Sequence, residues 1–477
     1  MIKRLHILFI ASFVSIFCEE PLQVSLTQAE EIALANNQGV QEIENLVEKA
    51  RYGHLISISD WLPKLELMSQ AYQTQHDQTE GSENKSSFLT QIVLTQTLFS
   101  AKKYYNLQIS NLIYQELQWI KQGILNDVLY RVRKEYYEII LDRNQIETAA
   151  THVEVLKALA LQMEERLEIG TATTFDVNQL QVAVSNALAQ YYQACKKMKF
   201  DLDAFSKTLG FDPGSIIIDI AETDIPLQSI PFLREKFQGQ QDIFLKTPIT
   251  KGLFFPPTNP RGQIEWVSQL FSQEEMKEWE GIALKYRPDL LQAESQWQTA
   301  LKEVSKARGD YLPKLELEAS YGGDPTPFNE FPRSSFTNQH FEWGVGVTLK
   351  WNIFDSFKRE RKISAAKSEA LAEKSNLNGM IQEALKEVRN QIFSMENALA
   401  TNVSSESTLK LAEQALAQAG EKLEIGYISV FDYQIAVNNY IEARNIFFQS
   451  QFDVIDSYYQ LRHATGIDVK KKDSNHE

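Results

Sequence analysis

From residue 341 to residue 351 the chain alternates without a break. Phe341, Trp343, Val345, Val347, Leu349 and Trp351 share one parity; Glu342, Gly344, Gly346, Thr348 and Lys350 share the other. A two-residue period predicts a β-strand with one apolar face, here with large rings toward both ends. A second stretch sets Leu315, Leu317, Ala319 and Tyr321 against Glu316, Glu318 and Ser320. Earlier in the chain, Phe88, Ile92, Leu94 and Leu98 share a parity that Thr90 and Gln96 interrupt. A half-buried soluble strand alternates in the same way. Strands of ~10 residues girdled by aromatic rings, set between very long helices, fit a membrane barrel better.

The period then changes. Residues 100–168 hold no proline and one glycine, Gly123. Leu125, Leu129, Val132, Tyr136, Ile139, Ile146, Ala150 and Val153 recur at strides of three and four, and only Arg143 breaks the series. This is the 3.5-residue period of coiled-coil packing, and at ~1.5 Å per residue the helix would run to roughly 100 Å. Gly170 suits the position just past its C-terminus, and Thr173 or Thr174 can cap the following helix, about 174–209. A shorter helix is expected over about 27–59, with Pro63 stopping it. The two shorter helices together match the long one in length. That predicts two pieces stacked end to end beside it.

All of this happens twice. "LPKLEL" stands at 62–67 and at 312–317, where each time a helix gives way to a strand. "LEIG" recurs at 167–170 and 423–426, "FD" at 175–176 and 431–432, and "LGFD" (209–212) answers "TGID" (465–468). Leu385, Val388, Ile392, Met395 and Leu399 mirror Leu129, Val132, Tyr136, Ile139 and Arg143 at a constant offset. The expected organisation is a first repeat over 19–212, with strands at about 63–99 and a helix-hairpin tip at about 168–176. A Pro-rich equatorial linker follows over 213–276. The second repeat covers 277–468, with strands at about 313–354 and a tip at about 424–432, and a polar tail covers 469–477. Each chain then supplies four strands. Four cannot close a barrel, so closure calls for several copies.

Composition adds what the pattern leaves open. A net charge of −15 argues against nucleic acid as a partner. The two cysteines, Cys18 and Cys195, exclude a disulfide framework, and Cys195 is expected as a small packed hydrophobe. The histidines form no HExxH pair, and no GxSxG or P-loop occurs, so no catalytic residue, metal or cofactor is expected. Lys3 and Arg4 precede an apolar run over 5–17, which reads as an export leader over 1–18. Cys18 is a candidate for lipidation, although the large Phe17 precedes it; the other reading is an unmodified cysteine at the leader's end. After residue 18 no apolar run reaches the length of a membrane helix, so a spanning segment would have to be a closed barrel. "KRERK" (358–362) is expected as a solvated helix face, and Arg143 as either lumenal or locally paired.

The tip sequences "LEIGTATTFDVNQLQVA" (167–183) and "LEIGYISVFDYQIAV" (423–437) resemble the helix-turn-helix tips of the TolC family of outer-membrane efflux and secretion ducts. The likeness covers nearly all of 22–468. It implies a mainly α chain of long coiled-coil helices with two β-hairpins. Such chains form a homotrimer, with a twelve-stranded barrel in outer-membrane lipid on a periplasmic α-barrel. It further implies a periplasmic adaptor protein and an inner-membrane pump as partners, in a tripartite efflux pump or a type I secretion system. By the same resemblance, Asp176, Asp432 and Tyr427 are candidate gate residues, and Ile169, Gly170, Thr171, Ile425, Gly426 and Tyr427 candidate adaptor contacts. The linker is longer than the family's, and no arginine stands in "ISVF", where the family's lock would use one. Plainer roles compete: aspartates favour helix N-termini, and the glycines need only end helices. The rival overall reading is a periplasmic coiled-coil scaffold without a membrane barrel.

Overall fold

A computed structural model describes residues 22–78, 81–212, 214, 218–237, 270–323, 326–327 and 341–468. The expected leader with Cys18, most of the linker including 252–262, and the tail 469–477 lie outside the described residues.

The first repeat runs through helices Leu26–Asn36 and Gln38–Ser59, strands Lys64–Gln78 and Gly81–Phe99, the long helix Ala101–Glu168 and the helix Thr174–Thr208. The second runs through helices Gln273–Tyr286 and Pro288–Gly309, strands Lys314–Gly323 and Phe341–Lys350, the long helix Lys358–Glu424 and the helix Val430–Thr465. The long helices hold 68 and 67 residues. Among the described residues no helix is apolar enough over its length to cross a membrane. The chain divides into two compact units. One comprises the residues up to Gln38 with Asp127–Gln273 and Gln391–His463; the other comprises Gly39–Asn126, Glu274–Asn390 and the residues from Ala464.

The second unit carries the sheet. At "LPKLEL" the helix tightens before it stops. Trp61 and Leu62 donate to carbonyls three residues back, as do Tyr311 and Leu312 in the second repeat. Pro63 and Pro313 then forbid further helix and turn the chain into extended structure. The four strands lie antiparallel in the order 64–78, 81–99, 314–323, 341–350. Their register sorts the side chains. Leu65 faces Leu94 and Leu67 faces Ile92; Ile92 faces Tyr321 and Leu94 faces Ala319; Tyr321 faces Trp343, Ala319 faces Val345 and Leu317 faces Val347. Directly opposed residues point the same way, so these make one apolar face. The other face carries Glu66, Gln91, Thr95, Glu318, Ser320 and Gly346. Trp343, Val345, Val347, Leu349 and Trp351 are all exposed. Thr90, an interruption in the sequence pattern, stands opposite Ser69 and shares a hydroxyl hydrogen bond with it at 3.2 Å. A bulge between Thr97 and Phe99 sets Phe99, not Leu98, opposite Leu315. The extra residue shifts the alternation by one, which parity alone does not reveal.

The first unit has its core around the middle of the long helices. Leu129, Val132, Tyr136 and Ile139 are buried, as are Ile392, Met395 and Leu399 of the second repeat. Tyr136 packs edge-on against Phe205, and Tyr137 stacks on Tyr459. Described parts of the linker are woven onto this core. Ile218–Ile220 pairs in parallel with Leu22–Val24, Leu233 and Phe271 are buried, and Leu270 N donates to Glu396 Oε1 at 3.0 Å. Arg143 pairs locally: its Nη2 reaches Asp219 Oδ1 at 3.1 Å and the Ile220 carbonyl at 3.3 Å.

Two expectations need correction. The helix expected over 27–59 is two helices, broken at Asn37, whose ψ of 127° is extended. Its counterpart breaks at Arg287, where Pro288 disfavours a helical conformation in the residue before it. The helix Thr174–Thr208 ends against this break: Asn37 Nδ2 donates to the Thr208 carbonyl at 2.9 Å. Gly210, with φ +89°, lies so close that a Cβ would sit 2.5 Å from Asn36 O. The helices Leu26–Asn36, Gln38–Ser59 and Thr174–Thr208 hold 11, 22 and 35 residues. Lastly, Cys195 is half-buried, not fully packed.

Candidate functional site

Each tip is built by local chemistry. The long helices end at Glu168 and Glu424, and the next residues but one, Gly170 and Gly426, have φ of +77° and +72°. Only glycine adopts that conformation at little cost. Thr171 N then donates to the Arg166 carbonyl at 2.8 Å and Gly170 N to the Leu167 carbonyl at 3.0 Å; Tyr427 N reaches Lys422 O and Gly426 N reaches Leu423 O at the same distances. This pairing, six-to-one outside five-to-two, is the Schellman ending.

The next helix starts with a capping box in both copies. Thr173 Oγ1 accepts from Asp176 N at 3.2 Å, and Asp176 Oδ2 accepts from Thr173 N at 2.9 Å. Ser429 Oγ and Asp432 N are 3.1 Å apart, and Asp432 Oδ2 accepts from Ser429 N at 3.1 Å. The N-cap residues are therefore Thr173 and Ser429. The aspartates are the third helical residues, not caps themselves. Hydrogen bonds from the Thr173 backbone and hydroxyl hold Asp176 below the usual carboxylate range, and those from the Ser429 hydroxyl and backbone do the same for Asp432. Asp432 is exposed and Asp176 half-buried, and both are ionised at neutral pH.

The two tips pack together within one chain. Leu156, Leu159, Met163, Val177, Leu180 and Val430 share a buried cluster, with Leu167, Leu423, Phe431 and Tyr433 against it. That leaves Ile169, Ile425 and Tyr427 pointing outward, each more than 70% exposed. Phe175 is equally exposed and was missed in the sequence reading; an aromatic in the first turn of a capped helix was its signal. Asp176 and Asp432 each engage their own N-cap residue. The tip thus offers exposed apolar side chains, two fixed carboxylates and left-handed glycines on a rigid double hairpin. Above the tips lies a groove of about 470 Å³ lined by His152, Asn186, Gln190, Gln434, Asn438 and Glu442, among others.

One charged cluster was not foreseen. Lys197 pairs with Asp142, with Asp201 at 3.1 Å and with Glu138 at 3.6 Å. Burial pushes Asp142 up to about 7, against the pull of Lys197.

The sequence profile of the family described as "Outer membrane efflux protein" matches residues 31–210 and 280–467. The alkaline protease secretion protein AprF of Pseudomonas aeruginosa is 20% identical, over 98% of this chain and 89% of its own. The outer membrane protein TolC of Vibrio cholerae is 18% identical, over 71% of this chain and 67% of its own. The solved structure of the Campylobacter jejuni CmeC outer membrane channel is 16% identical and superposes with a TM-score of 0.72, covering 94% of this chain and 88% of that one. With the profile matched in both repeats and the fold shared along almost the whole chain, this protein belongs to the outer membrane efflux protein family and is an outer-membrane channel.

Proposed function

We propose that the chain is the exit duct of a tripartite efflux pump or a type I secretion system. One observation carries this reading: a four-stranded sheet made of two duplicated hairpins, apolar on one face and polar on the other, joined to two helices of 68 and 67 residues. Three copies would bring twelve strands together as a barrel in the outer membrane, with the apolar face toward lipid and the polar face toward the lumen. Leader and linker boundaries follow the sequence reading: 1–18 is removed on export, and 213–276 decorates the equator between the repeats 19–212 and 277–468. The tips form the periplasmic entrance. There Ile169, Gly170, Thr171, Ile425, Gly426 and Tyr427 meet a periplasmic adaptor that links the duct to an inner-membrane pump. Asp176, Asp432 and Tyr427 narrow and charge the opening, and a ring of fixed carboxylates favours cations over anions. Without an arginine in "ISVF", closure relies on the crowding of Tyr427 and the packing of Val430 and Phe431. No catalytic role is assigned.

The test combines localisation with assembly. Carbonate-washed outer membranes should retain the protein, and detergent extracts should contain a trimer that conducts ions in planar bilayers. Complete release by carbonate would instead support a periplasmic scaffold. A monodisperse monomer with full β content would overturn the shared barrel.

A further inference from the structure

The junction between the last strand and the second long helix differs from its counterpart in the first repeat. There Phe99 is followed by Ser100, whose Oγ accepts from Lys103 N at 3.3 Å, and the long helix begins at once with Ala101. In the second repeat the segment from Trp351 to Phe357 intervenes before the helix starts at Lys358. Three of its apolar side chains stand in the open: Ile353 is 79% exposed, Phe354 71% and Phe357 63%. Ser356 and Phe357 have φ of 59° and 63°, two successive non-glycine residues in the left-handed region. L-residues with side chains adopt it rarely.

The turn is clamped from beneath. Arg359, expected from sequence on a solvated face, is buried. Its Nη1 donates to Asn352 O and its Nη2 to Ile353 O, both at 2.9 Å, and its Nε lies 3.2 Å from Asp355 Oδ2. Its guanidinium sits 4.5 Å from the Tyr311 ring centroid, and Trp351 Nε1 donates to Tyr311 O at 3.0 Å. Phe354 and Phe357 meet edge to face. A flexible loop would fold these rings inward; this one is fixed with them outward.

What covers them follows from continuity and charge. The turn continues directly from the exposed apolar row Trp343, Val345, Val347, Leu349 and Trp351. The first turn of the helix beyond it exposes Lys358, Arg361 and also Glu360, whose carboxylate accepts from the Tyr311 hydroxyl. Apolar groups followed at once by cations are the pattern of a segment at the headgroup boundary, where the chain leaves the hydrocarbon.

We propose that Ile353, Phe354 and Phe357 form a rigid wedge that enters the periplasmic leaflet of the outer membrane and is covered by phospholipid. Arg359 is the positioning residue. Among the described residues the left-handed turn that builds the wedge stands only in the second repeat; in the first, Leu98 and Phe99 are exposed at 45% and 42% where the strand gives way directly to the helix. This inference rests on the barrel reading above, and its test separates the two. In a Cys195→Ser background, single cysteines at Ile353, Phe354, Val345 and Ser368 are spin-labelled in assembled protein, in liposomes of phosphatidylethanolamine and phosphatidylglycerol. Collision with oxygen is compared with collision with a water-soluble nickel chelate. Labels at 353 and 354 should favour oxygen several-fold over the label at 368, as should the label at 345. Nickel access at 353 and 354 equal to that at 368, with 345 still in lipid, overturns the wedge and leaves the barrel standing. Nickel access at 345 as well overturns both. Labels at 353 and 354 shielded from both reagents mean that a second copy or another protein covers the turn, which also overturns the wedge. With Arg359→Gln, the label at 353 should become mobile and lose its oxygen preference while the label at 345 keeps its own. An unchanged label at 353 removes the positioning role.

Discussion

Arginine at Val345 and arginine at Gly346 are neighbours in sequence and should behave oppositely. Val345 is 64% exposed in the single chain and stands opposite Ala319, in the row that also holds Leu317, Tyr321 and Trp343. If that row faces lipid, Val345→Arg carries a charge into hydrocarbon at a cost of roughly 2–4 kcal/mol per protomer near mid-bilayer. With 1.4 kcal/mol per factor of ten, the assembled fraction falls on the order of 30- to 700-fold for each protomer considered alone. Gly346 lies on the other face, opposite Glu318, and a Cβ there meets nothing within 4 Å. Gly346→Arg places a cation directly across from a carboxylate, a cross-strand pair worth ~0.2–1 kcal/mol in favour. The assay is the amount of oligomer retained in carbonate-washed outer membranes and resistant to unheated detergent gels, with total expression as control. Val345→Arg should nearly abolish that band and Gly346→Arg should keep it. Equal loss in both variants, or the greater loss at Gly346, refutes the assignment of faces.

At the tips, Asn in place of both Asp176 and Asp432 keeps an oxygen to accept from Thr173 N and Ser429 N. The double variant should therefore fold while losing cation selectivity and divalent-cation block in planar bilayers; unchanged selectivity in an intact trimer leaves the carboxylates as helix-start chemistry alone. Gly426→Ala, in open space with φ +72°, should cost about 1–2 kcal/mol of backbone strain and loosen only the tip, read by faster amide exchange there. Gly210→Ala drives a Cβ to 2.5 Å from Asn36 O and should abolish stable assembly, so comparable thermal stability of the two alanine variants would contradict the equatorial packing. Asp142, at about 7 in the folded chain against ~3.9 in an unfolded one, holds its proton more readily when folded. Stability should rise as pH falls from about 7 toward 4, and that gain is lost as pH climbs through 7; Asp142→Asn should flatten the slope, and parallel melting curves for variant and parent would refute it.

Much of this architecture was legible because each feature was written twice. The alternation at 341–351, the seam through Leu129, Val132, Tyr136 and Ile139, and "LPKLEL" all name local geometry. What escaped depended on distant partners or on signals given too little weight. Asn37 breaks its helix while bonded to a carbonyl 171 residues away, and nothing in "ANNQG" announces that. Pro288, by contrast, did announce the break at Arg287. "KRERK" was read as solvated because charge runs usually are, yet the carbonyls of Asn352 and Ile353 required a buried donor, and Arg359 met both. At the tip, "TTFD" and "SVFD" spell capping boxes with aspartate as the third helical residue, and Thr173, one of the two caps expected from sequence, is the N-cap. Whether those carboxylates also gate lies beyond any single chain's sequence, because a ring of charge is a property of several copies.

The double signature at each tip has an evolutionary consequence. Schellman ending and capping box are fixed by Gly170, Thr173 and Asp176 in one copy and by Gly426, Ser429 and Asp432 in the other. Every backbone donor needed to reverse the chain is satisfied by those few positions. Of the residues between them, Thr171 and Tyr427 are exposed, whereas Ala172 packs against the buried tip cluster and Ile428 is half-buried. They have already diverged between the two halves of one protein while the turn they occupy has kept the same hydrogen bonds. On the duct reading proposed above, one exposed position per tip, Thr171 and Tyr427, can change the surface offered to a partner while the backbone hydrogen bonds that reverse the chain stay in place.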